Sequence, residues 1–194
     1  RKYDYTPKHP AEEIYQYLTP EQIEALRNQI VTTGLEGLCV YLGSVRDGRK
    51  SVIYVSEGLM SRIPQGTQTT GLYGGTGGAM VPPQTMQQQM AASGAASAGQ
   101  QSAQLNLLDL MKDIFLAASR SNTSFYPLDP RGLAASEFSV ADRVGLQEDR
   151  AALIESMDTL HILATNTDGR AIVNSNDPQP ALQQMLRDSS AYYL

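Results

Sequence analysis

The sequence predicts an α/β fold with a doubly wound, mostly parallel sheet, and three observations carry that prediction. Short runs rich in β-branched and aromatic residues, Ser51 to Ser56, Thr123 to Leu128 and Arg170 to Val173, alternate with longer stretches of helical periodicity. Strands that alternate with helices imply βαβ units joined by right-handed crossovers. The first run also leads directly into Glu57 and Gly58. A strand buried on both faces reads this way when it delivers an acidic group to the carboxyl edge of an open sheet, where ligands of such folds bind.

The elements follow in order. Thr19-Pro20-Glu21-Gln22 is a helix start, with Thr19 as cap, Pro20 in the first turn and Gln22 at capping-box spacing. Ile23, Leu26, Ile30, Leu38, Val40, Tyr41 and Leu42 support a helix to about Leu42, with Gly34 and Gly37 as weak points. A turn from Gly43 to Gly48 feeds the strand Ser51 to Ser56. No charged residue occurs between Arg62 and Asp109, and Gly, Gln, Ala, Ser, Thr and Met dominate that interval. Such a composition buries too little to offset its ordering entropy, so Gln65 to Gln104 is expected to be a surface loop, disordered or loosely docked. It is either a tolerated insertion or, through Met80, Met86 and Met90, an adaptable assembly surface.

Periodicity returns at Leu105. Leu107, Leu108, Met111, Ile114, Phe115 and Ala118 form a helical stripe ending near Asn122. The strand Thr123 to Leu128 follows, closed by Asp129-Pro130-Arg131-Gly132. Glu148 to Thr165 is a helix with Leu153, Met157, Leu160, Ile162 and Leu163 on its apolar side, and His161 within it reads as partly buried. Asp168-Gly169 turns the chain into Arg170 to Val173. A last helix, Pro180 to Asp188, leads to Ala191-Tyr192-Tyr193-Leu194, the start of one more strand. A doubly wound domain has more strands than these, so the sheet is expected to lack a side.

Composition bounds what the chain does. With 194 residues, 41% hydrophobic and 18% charged, it forms one domain over 1–194 with an insertion at about 65–104. A net charge of -5, mixed along the sequence, favours neither nucleic acid nor an anionic membrane surface. Cys39 is the one cysteine and reads as a small core residue; it supports no disulfide framework and no cysteine-based zinc site. No apolar stretch reaches the ~20 residues of a membrane helix. The chain starts at Arg1 without a methionine and reads as a piece of something longer.

Several phrases carry a resemblance. Arg1 to Pro7 (RKYDYTP), Gly34 to Gly58 (GLEGLCVYLGSVRDGRKSVIYVSEG), Tyr126 to Leu133 (YPLDPRGL), Asp149 to Asp177 and the ending RDSSAYYL resemble the bacterial VWFA-related proteins, a branch of the von Willebrand factor A domains. The resemblance covers nearly the whole chain outside the low-complexity interval. It implies that Ser51 to Ser56, Thr123 to Leu128 and Arg170 to Val173 are the fourth, fifth and sixth strands, with three more upstream of Arg1. It implies an exported adhesion module that binds a protein ligand through a divalent cation at the carboxyl edge of the sheet.

The candidate site residues follow from that position. The family's Asp-x-Ser-x-Ser motif is absent from this sequence, and the family's Asp-Gly after the fourth strand appears as Glu57-Gly58. Oxygen ligands of this kind suit Mg²⁺ or Ca²⁺. Ser56 stands beside Glu57, and the family's threonine corresponds to Thr32 or Thr33, although the helix predicted from Pro20 runs through both. Glu57 either serves as metal or ligand carboxylate or pairs with Arg49 or Lys50. Asp129 is a turn former before Pro130 or a second ligand-binding carboxylate, with Gly58 as a ligand-facing glycine. No nucleophile elbow, phosphate loop or His-Glu-x-x-His motif is present, and His9 and His161 lie far apart, so no enzyme is expected. The function expected is protein binding or adhesion; the alternative is assembly through the low-complexity loop and the open sheet edge.

Overall fold

The computed structural model describes residues 8–10, 12–13, 18–45, 47–64, 86–142 and 144–190, with the backbone alone for 86–100, 141 and 188–190. Helix α1 spans Pro20–Val45, strand β1 Lys50–Val55, helix α2 Met86–Arg120, strand β2 Thr123–Leu128, helix α3 Leu146–Thr165 and helix α4 Gln179–Ser190. Together they form a mixed α/β structure in which a small two-stranded parallel sheet is flanked by helices. Among the described residues no helix is long and apolar enough to cross a membrane.

Helix α1 begins with the expected capping box. The Thr19 amide donates to Gln22 Oε1 at 3.0 Å, and the Gln22 amide donates to Thr19 Oγ1 at 3.4 Å. Its buried stripe differs from the expected one. Glu24, Asn28, Thr32, Leu35 and Cys39 face inward, whereas Ile30, Val40 and Tyr41 point to solvent. The reason is local: Asn28 Nδ2 donates to the Met60 carbonyl at 2.7 Å and Thr32 Oγ1 donates to the Asn28 carbonyl at 2.7 Å, so the first half of the helix docks through polar groups. Leu35 and Cys39 then reach the main core, where burial pushes the Cys39 thiol up from its ordinary pKa.

That core joins Leu35 and Cys39 of α1 to Leu107, Met111, Ile114 and Ala118 of α2, Phe125 of β2 and Leu163 of α3. Strands β1 and β2 pair in parallel, Val52 opposite Phe125 and Tyr54 opposite Pro127, so that face of the sheet receives the helices. The expectation that β1 is buried on both faces is overturned, because its burial alternates and Ser51, Ile53 and Val55 are exposed. β1 is the edge of the described sheet, with no strand paired to its outer rim among the described residues.

Three further expectations are corrected. The low-complexity interval is not a loop throughout: α2 starts at Met86, so 86–104 is helical. Ala, Gln and Met are good helix formers, and the packed stripe from Leu107 onward gives a helix from which they propagate without a new nucleus. Residues 65–85 of the expected loop, and the expected strand start at Ala191, lie outside the described residues. The third strand is reduced to a single parallel bridge, Leu128 with Ile172. On that side of β2 the Asp129 amide donates to the Ile172 carbonyl at 2.9 Å and the Ile172 amide to the Pro127 carbonyl at 2.7 Å. The Phe125 amide is taken by Thr167 Oγ1 at 3.1 Å, and Pro127 between them has no N–H to give. Pro127 therefore offers no donor to a longer third strand on the Arg170 side of that bridge. His161, expected to be partly buried, is exposed on α3.

Candidate functional site at the carboxyl edge of the sheet

Beyond Val55 the chain runs along α3, and two residues on one face of that helix fix its path. Leu59 N donates to Thr159 Oγ1 at 2.9 Å, Ser61 N donates to Glu155 Oε1 at 3.0 Å, and the Ser61 hydroxyl bonds the same carboxylate. Gly58 sits at φ +93°, where a Cβ would fall 1.9 Å from the Ser156 carbonyl oxygen. Only glycine takes this backbone conformation with so close an approach. Ser56 Oγ accepts the Gly58 amide at 3.1 Å.

The turn after β2 meets this segment through Arg131. Its Nε donates to Asp129 Oδ1 at 2.9 Å and Oδ2 at 3.1 Å, and its Nη2 donates to Asp129 Oδ2 at 2.7 Å. The Asp129 carboxylate also accepts the Arg131 amide at 2.9 Å. Nη2 further donates to the Glu57 carbonyl at 2.8 Å and to Ser156 Oγ at 3.2 Å, while Nη1 pairs with Glu137 Oε2. The side chains of Asp129, Glu137 and Arg131 are 0%, 2% and 14% exposed, so this is a buried ion triad. Burial alone would raise the Asp129 carboxyl, but the hydrogen bonds and charge of Arg131 hold it below the usual carboxylate range. Burial likewise opposes the charge of Arg131, and Asp129, Glu137 and Glu57 together keep its pKa above the ordinary value. Asp149 anchors the Glu137 segment, its Oδ1 accepting the amides of Glu137 and Phe138 at 2.9 and 2.7 Å.

The residues singled out in the sequence thus have distinct places. Glu57 has an exposed side chain and a carbonyl held by Arg131. Ser56 and Gly58 shape the turn around it, and Asp129 lies buried on the neighbouring turn. Thr33 stands apart, on the exposed side of α1, while Thr32 beside it is buried. Sequence reasoning missed Arg131, Glu137, Ser156 and Asp149. The Asp129-Pro130-Arg131 spacing carried a local signal for the first of these; the others come to the site only through tertiary packing.

The donors that meet Arg131 are not free for Mg²⁺ or Ca²⁺. Both Asp129 oxygens are engaged by Arg131, Ser56 Oγ accepts a backbone N–H, and the described residues contain no group of three or more His, Cys, Asp or Glu that could hold a metal. Hard cations want about six oxygens free to turn toward them. No family model matches the sequence, and no curated protein or solved structure is detectably similar to it.

Proposed function

We propose that the chain is part of a doubly wound, von Willebrand factor A-like domain, exported and non-catalytic, that binds a protein ligand at the carboxyl edge of its sheet with Glu57 as the ligand-facing carboxylate. The observation that carries this reading is the pairing of β1 and β2 in parallel, which sets Glu57 and the Asp129 turn side by side at the edge where open α/β folds take ligands. Glu57 is exposed while its backbone is locked by Arg131, so a charged group is presented on a rigid support. The non-catalytic reading is supported by the sequence, which carries no nucleophile elbow, phosphate loop or His-Glu-x-x-His motif.

The test is surface plasmon resonance of the protein against a panel of purified secreted and cell-surface proteins. A panel member that binds the unaltered chain and loses at least ~tenfold in affinity with Glu57→Gln, about 1.4 kcal/mol, supports the site. Equal affinities with and without the substitution overturn it.

A second reading, assembly through the open edge, is favoured by one observation. Ile53 and Val55 on β1 are 48% and 59% exposed, and Tyr41 and Val45 on α1 are 64% and 60% exposed. Exposed apolar strand edges pair with other chains. Sedimentation that shows dimers or larger species, returned to monomer by Val55→Lys, would favour this reading over ligand binding.

A further inference from the structure

The buried ion triad accounts for the oxygens that gather at the carboxyl edge. Both oxygens of Asp129, Oε2 of Glu137, the carbonyl of Glu57 and Oγ of Ser156 converge on one group, and these oxygens come from the segment after β1, the turn after β2, the loop before α3, and α3 itself. Convergent oxygens from several segments are what a hard divalent cation collects. Here the collecting group is the guanidinium of Arg131, whose planar fork makes the two-pronged bond to Asp129 while its remaining N–H groups reach the other acceptors.

We infer that Arg131 takes the place of a divalent cation at the carboxyl edge: its single positive charge pairs with both buried carboxylates and its N–H groups tie the four segments together, so the edge is assembled without metal. This inference rests on the proposed function only for the use of the edge; the assembly itself is a property of the chain alone. Its consequence for binding is that Glu57 is not consumed as a metal ligand. Its carboxylate stays outside the cluster while its carbonyl is inside.

The experiment is thermal unfolding of the unaltered protein, Arg131→Ala and Arg131→Lys, each in EDTA, in millimolar Mg²⁺ and in millimolar Ca²⁺. For the unaltered protein the midpoint is expected to be the same in all three. Arg131→Ala removes the cation and leaves the oxygens, so its midpoint in EDTA is expected to fall on the order of 10 °C, and Ca²⁺ is expected to restore part of that loss. Arg131→Lys keeps a charge without the fork, and is expected to fall less and to ignore Ca²⁺. A saturable Mg²⁺ or Ca²⁺ stabilisation of the unaltered protein that Glu57→Gln abolishes would overturn the inference, as would an Arg131→Ala protein whose lost stability no cation restores. If Arg131→Ala folds in no condition, the other two proteins decide: indifference of both to Ca²⁺ supports the inference, and a Ca²⁺ requirement in Arg131→Lys overturns it. These readouts need no partner, so a failed search for a protein ligand leaves them intact.

Discussion

β1 and β2 are both six residues long, lie side by side in parallel register and carry similar apolar content, yet they live in different surroundings. Every residue of β2 but the last is buried, whereas β1 alternates between half-buried and exposed. The difference lies in the neighbours. β2 has β1 on one side, Ile172 on the other, and α2 and α3 packed against it; β1 has β2 alone as a strand partner among the described residues. Burial of a strand is thus set by what flanks it. Among the described residues the outer rim of β1 is a strand edge left open to further pairing.

The largest effect that could break this comparison is a pair of truncations. Phe125 is fully buried in β2 and Ile53 is 48% exposed in β1. Phe125→Ala is expected to cost about 3–5 kcal/mol and Ile53→Ala under about 1 kcal/mol in urea unfolding. Comparable costs would mean that the outer face of β1 is covered after all.

Much of this contrast was legible in the sequence, and the rest had identifiable causes. The bounds of β2, the start of α1 and the end of α3 followed from turn residues, the capping box at Thr19 and apolar periodicity, all of which are local. The run Val52 to Val55 read as a strand buried on both faces because β-branched residues do not reveal how many neighbours they have. Helix 86–104 was missed because its composition lacks an apolar stripe and it is continued from packed residues further along the chain. The polar docking face of α1 escaped notice because Asn28 and Thr32 are buried by hydrogen bonds to other segments and to the helix itself, which periodicity does not register. At the site, Glu57 and Asp129 stood out as acids at strand ends, but their difference did not: one is exposed, the other is held by Arg131 and shares it with a glutamate eight residues on.

The next effect compares the two ends of β1. Gly48 and Gly58 both have positive φ, +107° and +93°, but a Cβ at Gly48 meets nothing within 4 Å whereas one at Gly58 collides with Ser156. Gly48→Ala therefore reports backbone strain alone, about 1 kcal/mol or somewhat more, and Gly58→Ala adds the displacement of the segment from α3, for about 2–4 kcal/mol in total. Equal losses in chemical denaturation would show that the segment after β1 yields freely and does not support Glu57.

A smaller effect is read against pH. The carboxyl of Asp129 titrates lower in the folded protein than in the unfolded chain, where it lies near 3.9. Its contribution to stability is therefore complete above the unfolded value and is lost as pH falls through the depressed folded value. The stability gap between the unaltered protein and Asp129→Asn, measured by urea unfolding, is expected to be constant from pH 7 to about 5 and to narrow below about 4. A gap that instead widens as pH falls toward 4 would place the carboxylate outside the influence of Arg131, with burial alone raising its pKa.

The smallest effect concerns the other rim of β2, where the described sheet ends in a single bridge. Pro127 lies between two amides that both find acceptors on that side, Phe125 with Thr167 and Asp129 with Ile172, and it supplies no N–H itself. Its side chain is fully buried, so a replacement must keep its volume. Pro127→Val does so nearly, and adds one N–H directed at the carbonyl of Arg170, the residue two before Ile172 in the parallel register. The new hydrogen bond contributes about 0.5–1.5 kcal/mol, while loss of the ring frees the unfolded chain by about 0.4–1 kcal/mol, so overall stability is expected to change little. Amide exchange separates the two effects. The amide introduced by Pro127→Val, and that of Arg170, should be protected to about the degree of Ile172, as a lengthened third strand requires. Rapid exchange of the new amide would show that Gly169, whose Cβ position lies 1.7 Å from the Phe125 carbonyl oxygen, and not the missing donor, sets the end of the sheet.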